Sequence, residues 1–273
     1  MNLHEMMRNY QNDGLSREFA SARVCQDIIL KAIAEGPLNR NVTIKGGVVM
    51  RSITNDNRRA TRDIDLDFIH YSLSDESIRA FVSKLNCLPG IVLAIDGDIE
   101  ELKHQDYHGK CISVKITDDA GISIKSKIDI GVHKHFEIEQ DEYCFDVCMD
   151  ENGASLLKNT VEQSFTEKLR SLLIFGPNSH RYKDIFDMYY LGGIADFPKL
   201  KMAIELLIFS DPGMRENDYD EIIGRVSGAF ADKRYLERIS GSRQRWLDEP
   251  IENVTEKIID YLRQLKNNDS QSI

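Results

Sequence analysis

The sequence predicts an α+β fold, a mixed-sheet domain followed by a helical domain. Two observations predict it. Segments with period-two alternation of apolar and polar residues crowd the first half of the chain, separated by Gly- and Asp-rich turns. After Asn152-Gly153 the alternation stops, and helical periods run from about Thr160 to Leu265. The expected domains are therefore residues 1–152 and 153–273.

Within the first domain, Leu15, Phe19, Ala22, Ile29 and Ile33 repeat at a helical period until Gly36-Pro37 ends it. A strand is expected at Val42–Lys45. Gly46-Gly47 then turns the chain into a short helical run, Val48 to Ile53, and a polar, basic loop covers Asn55 to Arg62. A strand follows from Asp63 to about Ile69. Ser74 is an N-cap for a helix that reaches about Leu85, with Asp75 and Glu76 in its first turn. Further strands are expected at Gly90–Ile95, Cys111–Thr117, Ile122–Ile130 and Phe145–Met149, the middle two joined by a hairpin turn at Asp118-Asp119-Ala120-Gly121. The helical half breaks at Gly176-Pro177, Gly192-Gly193, Asp211-Pro212-Gly213 and Glu249-Pro250. The tail KNNDSQSI is polar, with disorder expected.

Composition narrows the function classes. A formal net charge of −10 speaks against a general nucleic-acid coat protein. A local basic groove remains open to an enzyme, with Arg51, Arg58, Arg59, Arg62, Lys125 and Lys127 as its candidates or as plain surface charge. No apolar run reaches the length of a membrane span, and MNLHEMMRNYQNDG lacks the basic start and apolar core of a secretory signal. The five cysteines are scattered and form no CxxC pair. That suits a reducing cytoplasm rather than a disulfide framework.

The stretch RRATRDIDLDF carries the chemistry. Alternation puts Asp63, Asp65 and Asp67 on one strand face, where like charges repel. Neighbouring carboxylates on that face stand about 7 Å apart along the strand. Their oxygens can converge on a divalent ion, and Mg²⁺ takes one or two carboxylates plus waters and substrate phosphates. Bound metal removes the repulsion. An Asp-x-Asp strand also suits a glycosyltransferase that holds Mn²⁺ and a sugar nucleotide, and a solvated strand face explains it without any ligand. Lys45-Gly46-Gly47 lies just upstream, where glycines let a phosphate approach N–H groups at a helix N-terminus; a tight turn is the plainer reading. Asp129 lies on the polar face of its own strand and completes a metal cage if that strand neighbours Asp63–Phe68. Asp67 is farther along the face and reads as peripheral.

In the helical half, Val161, Phe165, Leu169 and Leu172 form one apolar stripe with Lys168 in its middle. A lysine there is paired or snorkels to solvent. Asp184 and Arg181 fall on the buried side of a later helix, with Asp187 at its edge. Internal Lys168–Asp184 or Arg181–Asp187 ion pairs account for them structurally. His133-Lys134-His135 reads as a solvated loop, since no third metal ligand stands at useful spacing.

IKGGVVMRSITNDNRRATRDIDLDF resembles the signature of the polymerase-β-like nucleotidyltransferase superfamily: a Gly-Gly turn, a helix and an Asp-x-Asp strand. It resembles more closely the AbiEii/AbiGii-type, MenT-like nucleotidyltransferase toxins. Their later blocks are matched by Glu167-Lys168-Leu169 and by Arg181-Tyr182-Lys183-Asp184-Ile185-Phe186-Asp187-Met188-Tyr189. Two departures are Val48, where relatives often have threonine, and a loop from Asn55 to Arg62 that is polar and basic.

The resemblance implies a metal-dependent nucleotidyltransferase that moves NMP from an NTP to an acceptor hydroxyl and releases pyrophosphate. It implies Asp63, Asp65, Lys168 and Asp184 as catalytic residues, and Lys45, Gly46, Gly47, Thr61 and Arg181 as nucleotide-binding. Asp63, Asp65 and Asp129 would hold Mg²⁺ or Mn²⁺, with the helical domain completing the active site. It further implies a cytoplasmic toxin of a toxin–antitoxin or abortive-infection, phage-defence system, with a separately encoded antitoxin and the tRNA 3′ end as one possible acceptor. A protein or small-molecule acceptor, or a non-catalytic nucleotide-binding module on the same fold, stays open beside it.

Overall fold

The structure, a computed structural model, describes residues 1–102 and 109–269. The chain divides into two compact units, Met1–Asn159 and the residues from Thr160 onward. The first unit runs α1 (Leu3–Asn12), α2 (Arg17–Glu35), β1 (Val42–Lys45), α3 (Gly46–Thr54), β2 (Ile64–Phe68), α4 (Asp75–Lys84), β3 (Ile91–Ile95), β4 (Glu100–Glu101), β5 (Lys110–Asp118), β6 (Ser123–Val132), β7 (Asp141–Val147) and β8 (Asp150–Lys158).

One mixed sheet holds all eight strands, in the order β3-β5-β6-β2-β1-β8-β7, with β4 paired to β5. The hairpin β5–β6 is tied by Asp118 Oδ1, which accepts from the amides of Ala120 (3.1 Å) and Ile122 (2.9 Å). Gly121 supplies the positive φ of +79° that the turn needs. Asp118 Oδ2 also accepts from the Leu3 amide at 3.1 Å, which pins α1 to this hairpin. Alternation in β6 buries Ile124, Ile128 and Ile130, and these join Ile28, Ile29, Leu66, Phe68 and Phe81 in the core of the unit. Ser16 Oγ caps α2 by accepting from the Phe19 amide.

Two differences from the sequence reading have clear causes. Asn152-Gly153 is not a domain boundary but lies inside β8, which pairs antiparallel with β7 and parallel with β1. A Cβ on Gly153 would stand 2.7 Å from both Cys144 Sγ and Phe145 O, so this glycine serves close strand approach rather than chain reversal. The strand expected at Phe145–Met149 accordingly runs Asp141–Val147.

The second unit is helical: α5 (Val161–Phe175), α6 (Tyr182–Gly192), α7 (Phe197–Ile204) with a wider π turn over Glu205–Phe209, α8 (Tyr219–Phe230), α9 (Lys233–Ser240) and α10 (Ile251–Asp269). Four of its breaks fall at the Gly/Pro positions read from the sequence; the break between α8 and α9, at Ala231-Asp232, carries neither residue. Disorder was expected from Lys266, yet α10 continues to Asp269; the rest of that tail lies outside the described residues. Among the described residues no helix is long and apolar enough to cross a membrane.

Candidate functional site

In the first unit the site residues gather where β1 ends and α3 begins. β2 runs parallel to β6 in a register that sets Asp65 opposite Asp129. Asp63 directly precedes β2, and its carboxyl is held above the usual range, first by partial burial and then by the negative charge of Asp129. The sheet therefore sets Asp65 beside Asp129, with Asp63 near enough to Asp129 to feel its charge. Asp129 in turn accepts from the thiol of Cys111, its neighbour across β5–β6. Burial, with that bond, pushes the thiol up to about 12.

Asp65 also explains the glycine turn. Gly46 has φ +64°, and a Cβ there would stand 2.7 Å from Asp65 Cγ. On Gly47 a Cβ would meet the Thr61 side chain at 2.5 Å. The two glycines are thus required by the carboxylate and the hydroxyl packed over them, a cause the sequence does not reveal. Thr61 is held in place by Gln26 Nε2, which donates to its carbonyl at 3.0 Å.

A divalent cation fits part of this arrangement. Asp65 and Asp129 are oxygen donors side by side, Asp63 adds charge that a cation would offset, and Mg²⁺ needs only one or two carboxylates. The expected three-carboxylate cage is a different matter. Among the described residues no group of three or more His, Cys, Asp or Glu side chains is arranged to hold a metal ion.

Three sequence readings change in this unit. Lys45 is buried, and its Nζ lies 2.7 Å from Asp67 Oδ1, so Asp67 is a buried partner of Lys45 rather than a peripheral acid. His133 is buried rather than solvated, because its amide continues the β6 ladder onto Phe68 O at 2.9 Å. Burial lowers its pKa against the opposing pull of Asp67. The proposed basic groove is largely spoken for: Arg58 pairs with Asp56, Arg62 with Glu18, and Lys125 with Asp96. Arg51 lines a cleft of about 260 Å³ with Phe19, Gln26 and Thr61.

In the second unit, Thr160 caps α5 and Lys168 lies on its buried face. Lys168 Nζ sits 3.0 Å from Asp184 Oδ1 and 2.9 Å from Asp187 Oδ2, both on α6. Arg181 Nε reaches the other oxygen of Asp184 at 2.6 Å while most of the arginine stays exposed. Burial works to raise the Asp184 pKa, but Lys168 and Arg181 outweigh it and hold the carboxyl at about 2. Asp184 lies in the first turn of α6, where the helix dipole favours negative charge. Asp187 is fully buried, not at an edge. Its Oδ1 accepts from Trp246 Nε1 at 3.0 Å. Sequence reading missed Trp246; its standing as the lone tryptophan of the chain was the available signal.

A family model described as "Nucleotidyl transferase AbiEii toxin, Type IV TA system" matches residues 28–265. Among solved structures the chain is similar to an antigenic nucleotidyltransferase-like protein from Paracoccidioides brasiliensis, at 15% identity and a TM-score of 0.44, over 78% of this chain and 92% of that one. No curated protein matches.

Proposed function

Because the chain belongs to the AbiEii nucleotidyl transferase toxin family, we propose that it transfers NMP from an NTP to an acceptor hydroxyl as the toxin of a type IV toxin–antitoxin pair. The observation that carries the reading is the register of β2 and β6, which sets Asp65 beside Asp129 next to Asp63 and the Gly46-Gly47 turn. Asp63 and Asp65 are the residues that would hold Mg²⁺ or Mn²⁺, with Asp129 beside them. When bound, the ion supplies neutralisation of phosphate charge.

The chain's own residues do the rest. Gly46 and Gly47 open α3, and the backbone N–H groups of that helix N-terminus suit an incoming phosphate. Lys168 supplies positive charge for the triphosphate, and Asp184 orients that lysine from 3.0 Å. Arg181, largely exposed and bonded to Asp184, offers a second cationic contact. Thr61, packed on Gly47, borders the phosphate turn. The acceptor hydroxyl gives up its proton to solvent as its oxygen bonds to the α-phosphorus, the α–β bridge breaks, and pyrophosphate leaves with the electron pair of that bond. Catalysis of this kind rests mainly on positioning and charge neutralisation. Lys45 enters this scheme through Asp67: the pair fixes the end of β1 directly before the glycines.

A tRNA 3′ end is the acceptor we favour, with a cognate antitoxin as the protein partner, a cytoplasmic location and a role in abortive phage defence. Incubation with each α-labelled NTP, Mg²⁺ and total tRNA tests this. Label on tRNA supports it. Label on protein instead makes the reaction protein nucleotidylation, and no label on any acceptor makes the chain a nucleotide-binding module.

A further inference from the structure

We infer that Asp187 and Trp246 are positioning residues for nucleotidyl transfer: the Trp246 indole fixes one oxygen of Asp187 so that the other holds the Lys168 ammonium in place. The inference rests on the reading that Lys168 works on the triphosphate.

The geometry is a buried relay. Lys168 Nζ has Asp184 and Asp187 at 3.0 and 2.9 Å. Asp184 shares its charge with Arg181, which is mostly exposed. Asp187 has instead a neutral donor, Trp246 Nε1, on its second oxygen. That donor satisfies a lone pair on Oδ1 and fixes the orientation of the carboxylate, with Oδ2 turned to Lys168.

Trp246 is itself set firmly. It is almost wholly buried, and its ring packs edge-on against Tyr190, one turn beyond Asp187 on α6. The segment between α9 and α10 that carries it is braced by Arg245, whose guanidinium donates to the carbonyls of Leu247 (2.8 Å) and Glu249 (3.0 Å). A lysine that must meet a phosphate loses rate when its ammonium wanders by an ångström, because positioning errors of that size cost on the order of 100-fold. Two carboxylates at nearly equal distance, one of them locked by an indole, restrict that wandering.

The lone tryptophan makes the relay directly observable, since nitrogen-labelled protein gives a single indole N–H signal. In the full chain, that signal is expected to move when NTP and Mg²⁺ are added, and to stay put on the same addition in Lys168→Gln. Trp246→Phe keeps the ring packing and removes the donor. It is expected to lower kcat on the order of tenfold or more, with helix content retained and KM for NTP changed less than kcat. Asp187→Asn is expected to match or exceed that loss. If Lys168→Gln abolishes transfer while folded Trp246→Phe and Asp187→Asn both keep wild-type kcat, the positioning role is wrong and the function stands. If Lys168→Gln transfers normally, the reading beneath it fails instead.

Discussion

The carboxylate of Asp65 occupies the space that a side chain on Gly46 would fill, with Asp65 Cγ 2.7 Å from the Cβ position. The first acidic residue of β2 and the first glycine of α3 are therefore one steric unit. Gly46→Ala has to shift Asp65 and to accept a φ of +64°. The backbone alone costs about 1–3 kcal/mol. Chemical denaturation is expected to show a loss of at least that size, and the folded fraction is expected to transfer no nucleotide.

The Lys45–Asp67 pair gives a second prediction. Both side chains are under a tenth exposed and 2.7 Å apart. Removing one partner of a buried pair leaves the other charge uncompensated, at about 3–5 kcal/mol. Asp67→Ala is expected to destabilise the protein by that order in urea unfolding, whereas Arg62→Ala, which breaks an exposed pair with Glu18, costs less than about 1 kcal/mol.

Acid sensitivity follows from Asp184. Its carboxyl is held at about 2, below its usual value, once Lys168 and Arg181 outweigh burial. A depressed carboxylate contributes stability above its unfolded pKa, near 4, and loses it as pH falls toward about 2. Unfolding midpoints followed from neutral pH to acid are expected to drop through that window. In Asp184→Asn the drop is expected to be shallower, from a lower starting stability.

His133 acts in a higher window. Burial lowers its pKa even though Asp67 pulls the other way. The folded state thus favours neutral imidazole, and stability is lost as pH falls below about 6.5, where the unfolded chain takes up the proton first. His133→Gln is expected to flatten that part of the stability–pH curve. An unchanged slope would mean that His133 is as freely protonated as a surface histidine.

Much of this architecture was legible in the sequence, for local reasons. β1, β2, β5 and β6 announce themselves by alternation, α4 by its Ser74 cap, and the helical breaks by Gly and Pro. What stayed hidden depends on partners far along the chain. The neighbour of Asp65 is set by a parallel pairing of β2 with a strand some sixty residues later. Gly153 looked like a domain boundary because nothing nearby in sequence reveals Cys144 and Phe145 pressed against it. His133 looked solvated until the β6 ladder carried it onto Phe68. Asp187 looked marginal because Trp246, its partner, follows fifty-nine positions later. The candidate residues, and the Lys168–Asp184 pair among them, could be named from the Asp-x-Asp strand and the later Lys and Asp blocks; the Lys45–Asp67 and Asp187–Trp246 partnerships could not.

The most direct test of the account is transfer of α-labelled NMP by the wild-type chain and by Asp63→Ala, each with Mg²⁺ and an acceptor pool of total tRNA and protein. The account predicts label on an acceptor with the wild type and none above background with folded Asp63→Ala. Equal labelling by both chains would contradict it, because the carboxylates beside the glycine turn would then have no part in the chemistry.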